Sequence, residues 1–164
     1  MVIVTSSAIL ACGGASSTSS EPKGTTDMAQ ADQKQQARAL LEAIETGEAA
    51  PVGVINADNY KQHNLGAADG LAGFGALLQA LPAGSAKVTT VRTFQDGDLV
   101  FLHTAYDFFG PKIGFDIFRF EDGKIVEHWD NLQETPAGPN PSGHSMIDGP
   151  TEATDLDRTA ANKQ

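Results

Sequence analysis

Apolar positions fall at helical spacing over the first half of the chain and at strand spacing over the second. Between Gln30 and Gly47, Ala37, Leu40, Leu41 and Ile44 recur at i, i+3, i+4 and i+7, which predicts one amphipathic helix stopped by Gly47. Ala50 to Asn59 predicts a short second helix, with Pro51 in its first turn and Val52 and Ile55 turned inward. Asp69, a favourable N-cap, opens a third helix that presents Leu71, Phe74, Leu77, Leu78 and Leu81 on one side before Pro82 ends it. Gly70, Gly73 and Gly75 weaken that helix by about 1 kcal/mol each relative to alanine if interior. Close packing against a neighbour would account for small residues there.

Past Pro82 the period drops to two. Lys87 to Phe94 is β-branched and alternating, Gln95 to Asp98 is a turn, and Leu99 to Phe109 is a second strand. Gly110-Pro111 breaks the pattern; Gly114 to Phe120 is a third strand, and Glu121 to Lys124 turns into a fourth from Ile125 to Gln133. Helices followed by an antiparallel meander make an α+β fold, a strongly curved antiparallel sheet closed on its concave side by the N-terminal helices.

The two ends read differently. Residues 135–164 form a Pro/Gly-rich tail with one short helix over Asp155 to Lys163, and residues 29–134 are the folded domain. Ile9-Leu10-Ala11-Cys12-Gly13 closes an apolar leader and resembles the lipobox of bacterial lipoproteins, and the Gly/Ser-rich stretch after it reads as a tether, so residues 1–28 are assigned as signal and tether. That assignment makes Cys12 the lipidated residue and places the protein outside the cell, anchored to the bacterial envelope. The alternative is an incidental cysteine in a cytoplasmic protein. A single cysteine forms no internal disulfide framework, and a net charge of −10 over 164 residues disfavours nucleic-acid partners. No apolar run reaches the roughly 20 residues that span a bilayer, so membrane contact would come only through a lipid on Cys12.

Tyr60-Lys61-Gln62-His63-Asn64, the strand Asp98-Leu99-Val100-Phe101-Leu102-His103, and above all Phe115-Asp116-Ile117-Phe118-Arg119-Phe120-Glu121-Asp122-Gly123-Lys124-Ile125-Val126-Glu127-His128-Trp129-Asp130 resemble the SnoaL-like branch of the nuclear transport factor 2-like superfamily. The resemblance runs from about Gln35 to Gln133. It implies a cone-shaped α+β half-barrel with a pocket inside the curved sheet, homodimers packed through the sheet's outer face, and no cofactor. Its founding enzymes close polyketide rings by aldol condensation, and other relatives isomerise steroids, dehydrate phenols or open epoxides. In that branch an aspartate on the third strand is the acid/base, helped by a histidine on the preceding strand. The matching positions are Asp116 and His103.

Strand parity places Asp116, Phe118 and Phe120 on one face, and two phenylalanines mark that face as the inner one. A carboxyl group at an apolar wall suits a group that takes a proton from carbon and returns it to oxygen. His103 shares its face with Leu99, Phe101 and Ala105, also mostly apolar, which puts His103 and Phe101 in the same pocket. The fourth strand leaves two registers open. A two-residue turn at Asp122-Gly123 sets Asp116 opposite Trp129; a bulge at Gly123 sets it opposite His128 and leaves Arg119 and Glu127 as an outer pair. Tyr60, His63 and Asn64 follow the second helix, near the mouth, where they would bind substrate oxygens or order a loop. The four histidines lack close paired spacing, so no metal is expected. Two function classes remain: a cofactor-independent cyclase, lyase or isomerase acting on a small apolar or aromatic carbonyl compound, and a non-catalytic module holding a ligand or protein partner.

Overall fold

The computed structural model describes residues 23–82, 84–154 and 158–164. Cys12 and the tether as far as residue 22 lie outside the described residues, whereas residues 23–28, assigned to the tether, are the first turns of α1. The chain runs α1 (Lys23–Thr46), a 3₁₀ turn (Ala50–Val54), β1 (Lys61–Gln62), α2 (Gly70–Ala80), β2 (Lys87–Asp96), β3 (Leu99–Asp107), β4 (Pro111–Glu121), β5 (Lys124–Glu134) and α3 (Thr159–Asn162). The five strands make one sheet in the order β1-β5-β4-β3-β2. Among the described residues, no helix is long and apolar enough to cross a membrane.

The helical spacing of α1 buries Ala37, Leu40 and Leu41 against the inner face of the sheet, where Val100, Leu102, Phe118, Phe120 and Ile125 complete the core. Gly47, at φ 71°, takes the left-handed position past the end of α1 and returns its N–H to the Ala43 carbonyl at 2.9 Å. In α2 a side chain at Gly73 would collide with the Ala68 carbonyl oxygen at 1.8 Å, so close backbone approach explains the small residue.

The second helix is only the turn Ala50–Val54, because Ile55 goes extended and bridges Ile125 while Asn56 donates to the Ile125 carbonyl. The open edge of β5 thus recruits the chain that the pattern assigned to helix. The same edge then takes up β1 in parallel, pairing Lys61 with Glu127 and Gln62 with His128, which makes the sheet mixed.

The β4–β5 register is neither of the two expected. Asp122 and Gly123 both have positive φ and form the two-residue turn, pairing Glu121 with Lys124. An extra residue, Val126, is then inserted between the pairs Phe120–Ile125 and Arg119–Glu127. Beyond this bulge Asp116 lies opposite Asp130, Phe118 opposite His128 and Ile117 opposite Trp129. His128 and Asp130 therefore share the inner face with Asp116, and Trp129 is turned outward.

Candidate active site

The inner faces of β3, β4 and β5 meet α1, α2 and β1 around a cavity of about 150 Å³. Leu40, Leu41, Ile44, Phe74 and Phe118 supply much of its apolar wall, and Phe109, which lines it yet is largely exposed, marks its opening. The polar wall is one cluster: Tyr60, Gln62, Asn64, Tyr106, Asp116, His128 and Asp130.

Asp116 is 3% exposed and has a partner on each oxygen. Tyr106 donates its hydroxyl to Oδ2 at 2.7 Å, and Oδ1 faces His128 Nε2 at 3.3 Å. Tyr106 reaches Asp116 because its ring crosses Gly114, where a Cβ would sit 2.7 Å from Tyr106 Cε2. The His128 ring is stacked on Phe118 with centroids 4.4 Å apart, and its Nδ1 is 2.8 Å from Gln62 Oε1. Gln62 also donates through Nε2 to the Tyr60 hydroxyl at 3.1 Å. Asn64 donates to the Asp130 carboxylate.

These groups hold each other in place from outside the cavity as well. Asp69 occupies the N-cap position of α2, but its carboxylate accepts the Gln62 N–H at 2.7 Å instead of a helical N–H. This ties β1 to α2, while the His63 N–H bonds to the His128 carbonyl at 2.9 Å and ties β1 to β5. Burial pushes the Tyr60 hydroxyl well above its ordinary range, and the Asp130 and Asp116 charges add to the effect. Tyr106 is raised by burial and then by Asp116. Burial also raises the Asp130 carboxyl, against the opposing effect of the Asn64 hydrogen bond. Both tyrosines are therefore fixed as hydrogen-bond donors at neutral pH.

Of the residues singled out by sequence, Asp116, Tyr60, Asn64, Phe118 and His128 come together on this cavity. Four do not. His103 and Phe101 lie on the outer face of β3, because Val100, Leu102, Thr104 and Tyr106 take the inner one. There His103, buried at 2% exposure, accepts from Arg92 Nη1 at 2.6 Å and stacks on Phe115. Arg92 donates onward to the carbonyls of Ile147, Asp148 and Pro150, fastening the tail to the outer face. Trp129 is also outward and stacks on His63, whose Nε2 meets Glu127 at 2.9 Å. Glu127 bonds Arg119 at 3.0 Å as well, so the expected outer-face pair is present. Its carboxyl is held below the usual range by the His63 bond first and then by Arg119.

Tyr106, Gln62 and Asp130 are the site residues that the sequence reading did not assign to the pocket. Tyr106 follows from the β3 parity once the inner face is known, and Asp130 from the bulge at Val126. One donor atom each from Asp116, His128 and Asp130 lies within 4.8 Å of the others, so these three would be the ligands of any divalent cation here. All three side chains already make hydrogen bonds within the cluster, which a cation would have to displace.

The family model of the SnoaL-like domain matches residues 37–128, more than half of the chain. The chain belongs to the SnoaL-like family. Solved structures place this SnoaL-like domain within the wider NTF2-like fold. An NTF2-like protein of unknown function from Burkholderia xenovorans is 19% identical, with a TM-score of 0.57 over 68% of this chain and 91% of that one. An LEH-like epoxide hydrolase of M. tuberculosis is 18% identical, with a TM-score of 0.54 over 63% and 84%. TsrD from Streptomyces laurentii is 19% identical, with a TM-score of 0.53 over 63% and 89%. No curated protein matches the sequence.

Proposed function

We propose that this SnoaL-like domain catalyses cofactor-independent proton transfer on a small carbonyl compound, as a cyclase, lyase or isomerase, with Asp116 as the acid/base and His128 in place of His103 as its partner. The observation that carries this reading is the position of Asp116. It is a 3%-exposed carboxyl on the wall of a cavity otherwise largely lined by hydrocarbon, bonded to Tyr106 and facing an imidazole. Buried from solvent, such a pair exchanges a proton with a bound ligand more readily than with bulk water.

The cavity volume bears on the substrate. An apolar cavity of about 150 Å³ holds a molecule the size of benzene. The occupant is therefore a compound of about one ring, smaller than the polycyclic substrates that the family resemblance implies. Its carbonyl oxygen would face Tyr60, whose hydroxyl remains a donor, and its α-carbon would face Asp116. The Asp116–His128 pair removes the α-proton as the C–H electrons move into the enolate, whose oxygen charge is met by the Tyr60 O–H. Return of that proton to another carbon or to a leaving oxygen completes an isomerisation or elimination, with no net gain or loss of electrons.

A structure with bound cyclohexanone or phenol tests the reading. The oxygen should lie about 2.6–3.2 Å from Tyr60 Oη, with the ring against Phe118 and Leu40. A ring seated outside the cavity, or an oxygen turned to the opening, contradicts it.

A further inference from the structure

We infer that Gln62 is the positioning residue that dictates where the hydrogens of His128 and Tyr60 reside in this site. Its authority comes from one main-chain donor. The Asn64 N–H lies 3.0 Å from the Gln62 side chain and can only donate, so the atom it meets must be the amide oxygen. The usual ambiguity of a glutamine amide is thereby removed, since the flipped form would set NH₂ against N–H.

The rest follows bond by bond. The same oxygen is 2.8 Å from His128 Nδ1, so Nδ1 carries a hydrogen and donates it. The amide nitrogen must donate to Tyr60 Oη at 3.1 Å, so Tyr60 accepts there and its own hydrogen is directed elsewhere. No acceptor takes that hydrogen among the described residues, and Tyr60 lines the cavity. With Nδ1 already protonated, His128 Nε2 would meet Asp116 Oδ1 as lone pair against lone pair. The 3.3 Å contact is attractive only with a second hydrogen between them. Because Oδ2 accepts from Tyr106, that hydrogen lies on the Nε2–Oδ1 line.

A histidine beside a carboxylate ordinarily places its neutral-form hydrogen on the nitrogen facing the carboxylate. Gln62 reverses this, and the reversal is built in, because its N–H is anchored on Asp69 and its strand pairs with β5 at His128. The site is left with one hydrogen held between Asp116 and His128, with unused lone pairs on the Asp116 carboxylate to accept an α-proton, and one hydrogen on Tyr60 available to a ligand. The placement of hydrogens stands on geometry alone; their use in catalysis rests on the function proposed above.

The test is imidazole ¹H–¹⁵N spectroscopy of the full chain between pH 5 and 9. In the wild type the neutral-form hydrogen of His128 should reside on Nδ1, facing Gln62 Oε1. Gln62→Leu should move the neutral-form hydrogen to Nε2. Gln62→Glu should keep it on Nδ1, because a carboxylate oxygen still accepts there, while its second oxygen captures the Tyr60 hydrogen. Exchange of ketone α-protons should then fall at least ten-fold in Gln62→Glu although the His128 tautomer is unchanged. A neutral wild-type His128 carrying its hydrogen on Nε2 overturns the inference by itself, whether or not the variants fold. A wild type that shows the Nδ1–H form but exchanges no ketone leaves the hydrogen placement standing and refutes only the proposed reaction.

Discussion

Replacing Gly114 by alanine should loosen the Asp116 carboxyl without touching it. A Cβ at that position would lie 2.6 Å from Leu132 Cδ2 and 2.7 Å from Tyr106 Cε2, against a normal carbon contact of about 3.5–4.0 Å. The Leu132 methyl is at the end of a half-buried side chain and can rotate away. The Tyr106 ring is 5% exposed and tied by its hydroxyl to Asp116, so it must shift by about 1 Å. That shift stretches a 2.7 Å hydrogen bond out of range. Overpacking costs about 1–3 kcal/mol and a buried hydrogen bond about 1–3 kcal/mol. Losing a glycine from a strand returns about 0.5–1 kcal/mol. The net expectation in urea denaturation is a loss of about 1–5 kcal/mol. Tyr106→Phe should then cost much less in the Gly114→Ala background than in the wild type, because the bond it removes is already broken. A Gly114→Ala protein within about 0.5 kcal/mol of wild type, or additive effects in the double variant, would refute the packing argument.

Other outcomes follow from the outer face. Burial, and then the neighbouring Arg92 charge, hold His103 below its ordinary value of about 6.5, so the unfolded chain binds a proton that the folded one refuses as pH falls through that value. The His103 contribution is intact above pH 6.5 and is lost below it, so urea stability of the wild type should decline from pH 7 to 5 more steeply than that of His103→Gln; parallel curves would count against it. Arg92→Ala removes the bonds to the carbonyls of Ile147, Asp148 and Pro150 and should open residues 140–150 to limited proteolysis, read by mass spectrometry. An unchanged cleavage pattern would mean that the clamp does not hold the tail.

How much of this was legible in the sequence depended on whether a face declared itself. On β4 it did: Phe118 and Phe120 both sit with Asp116, and all three are buried on the inner face. On β3 both faces are apolar. Val100, Leu102 and Tyr106 face the core, while Phe101 stacks with Phe94 and Phe115 on the outer side, so counting apolar residues could not choose between them. The family resemblance points to His103 as the partner of Asp116 and the apolar β3 face does not contradict it, whereas the neighbour is His128. The bulge at Val126 carries no glycine or proline; its one trace is the adjacent buried pair Ile125-Val126, which breaks the alternation. The two-residue strand β1 is too short to show any period, yet it delivers Gln62 to His128. The site was thus half visible: the residues that strand patterning buries could be read, and those placed by a bulge, an edge pairing or a side-chain relay could not.

The central claim is that Asp116 moves protons on a bound carbonyl compound. Deuterium incorporation at the α-carbon of small cyclic and aryl ketones in D₂O, followed by NMR, tests it without knowledge of the natural substrate. The wild type should accelerate exchange of at least one such ketone, and Asp116→Asn, correctly folded, should lose about 10²-fold or more of that rate. Exchange that is equally fast in Asp116→Asn, or absent in the wild type across the series, would contradict the account.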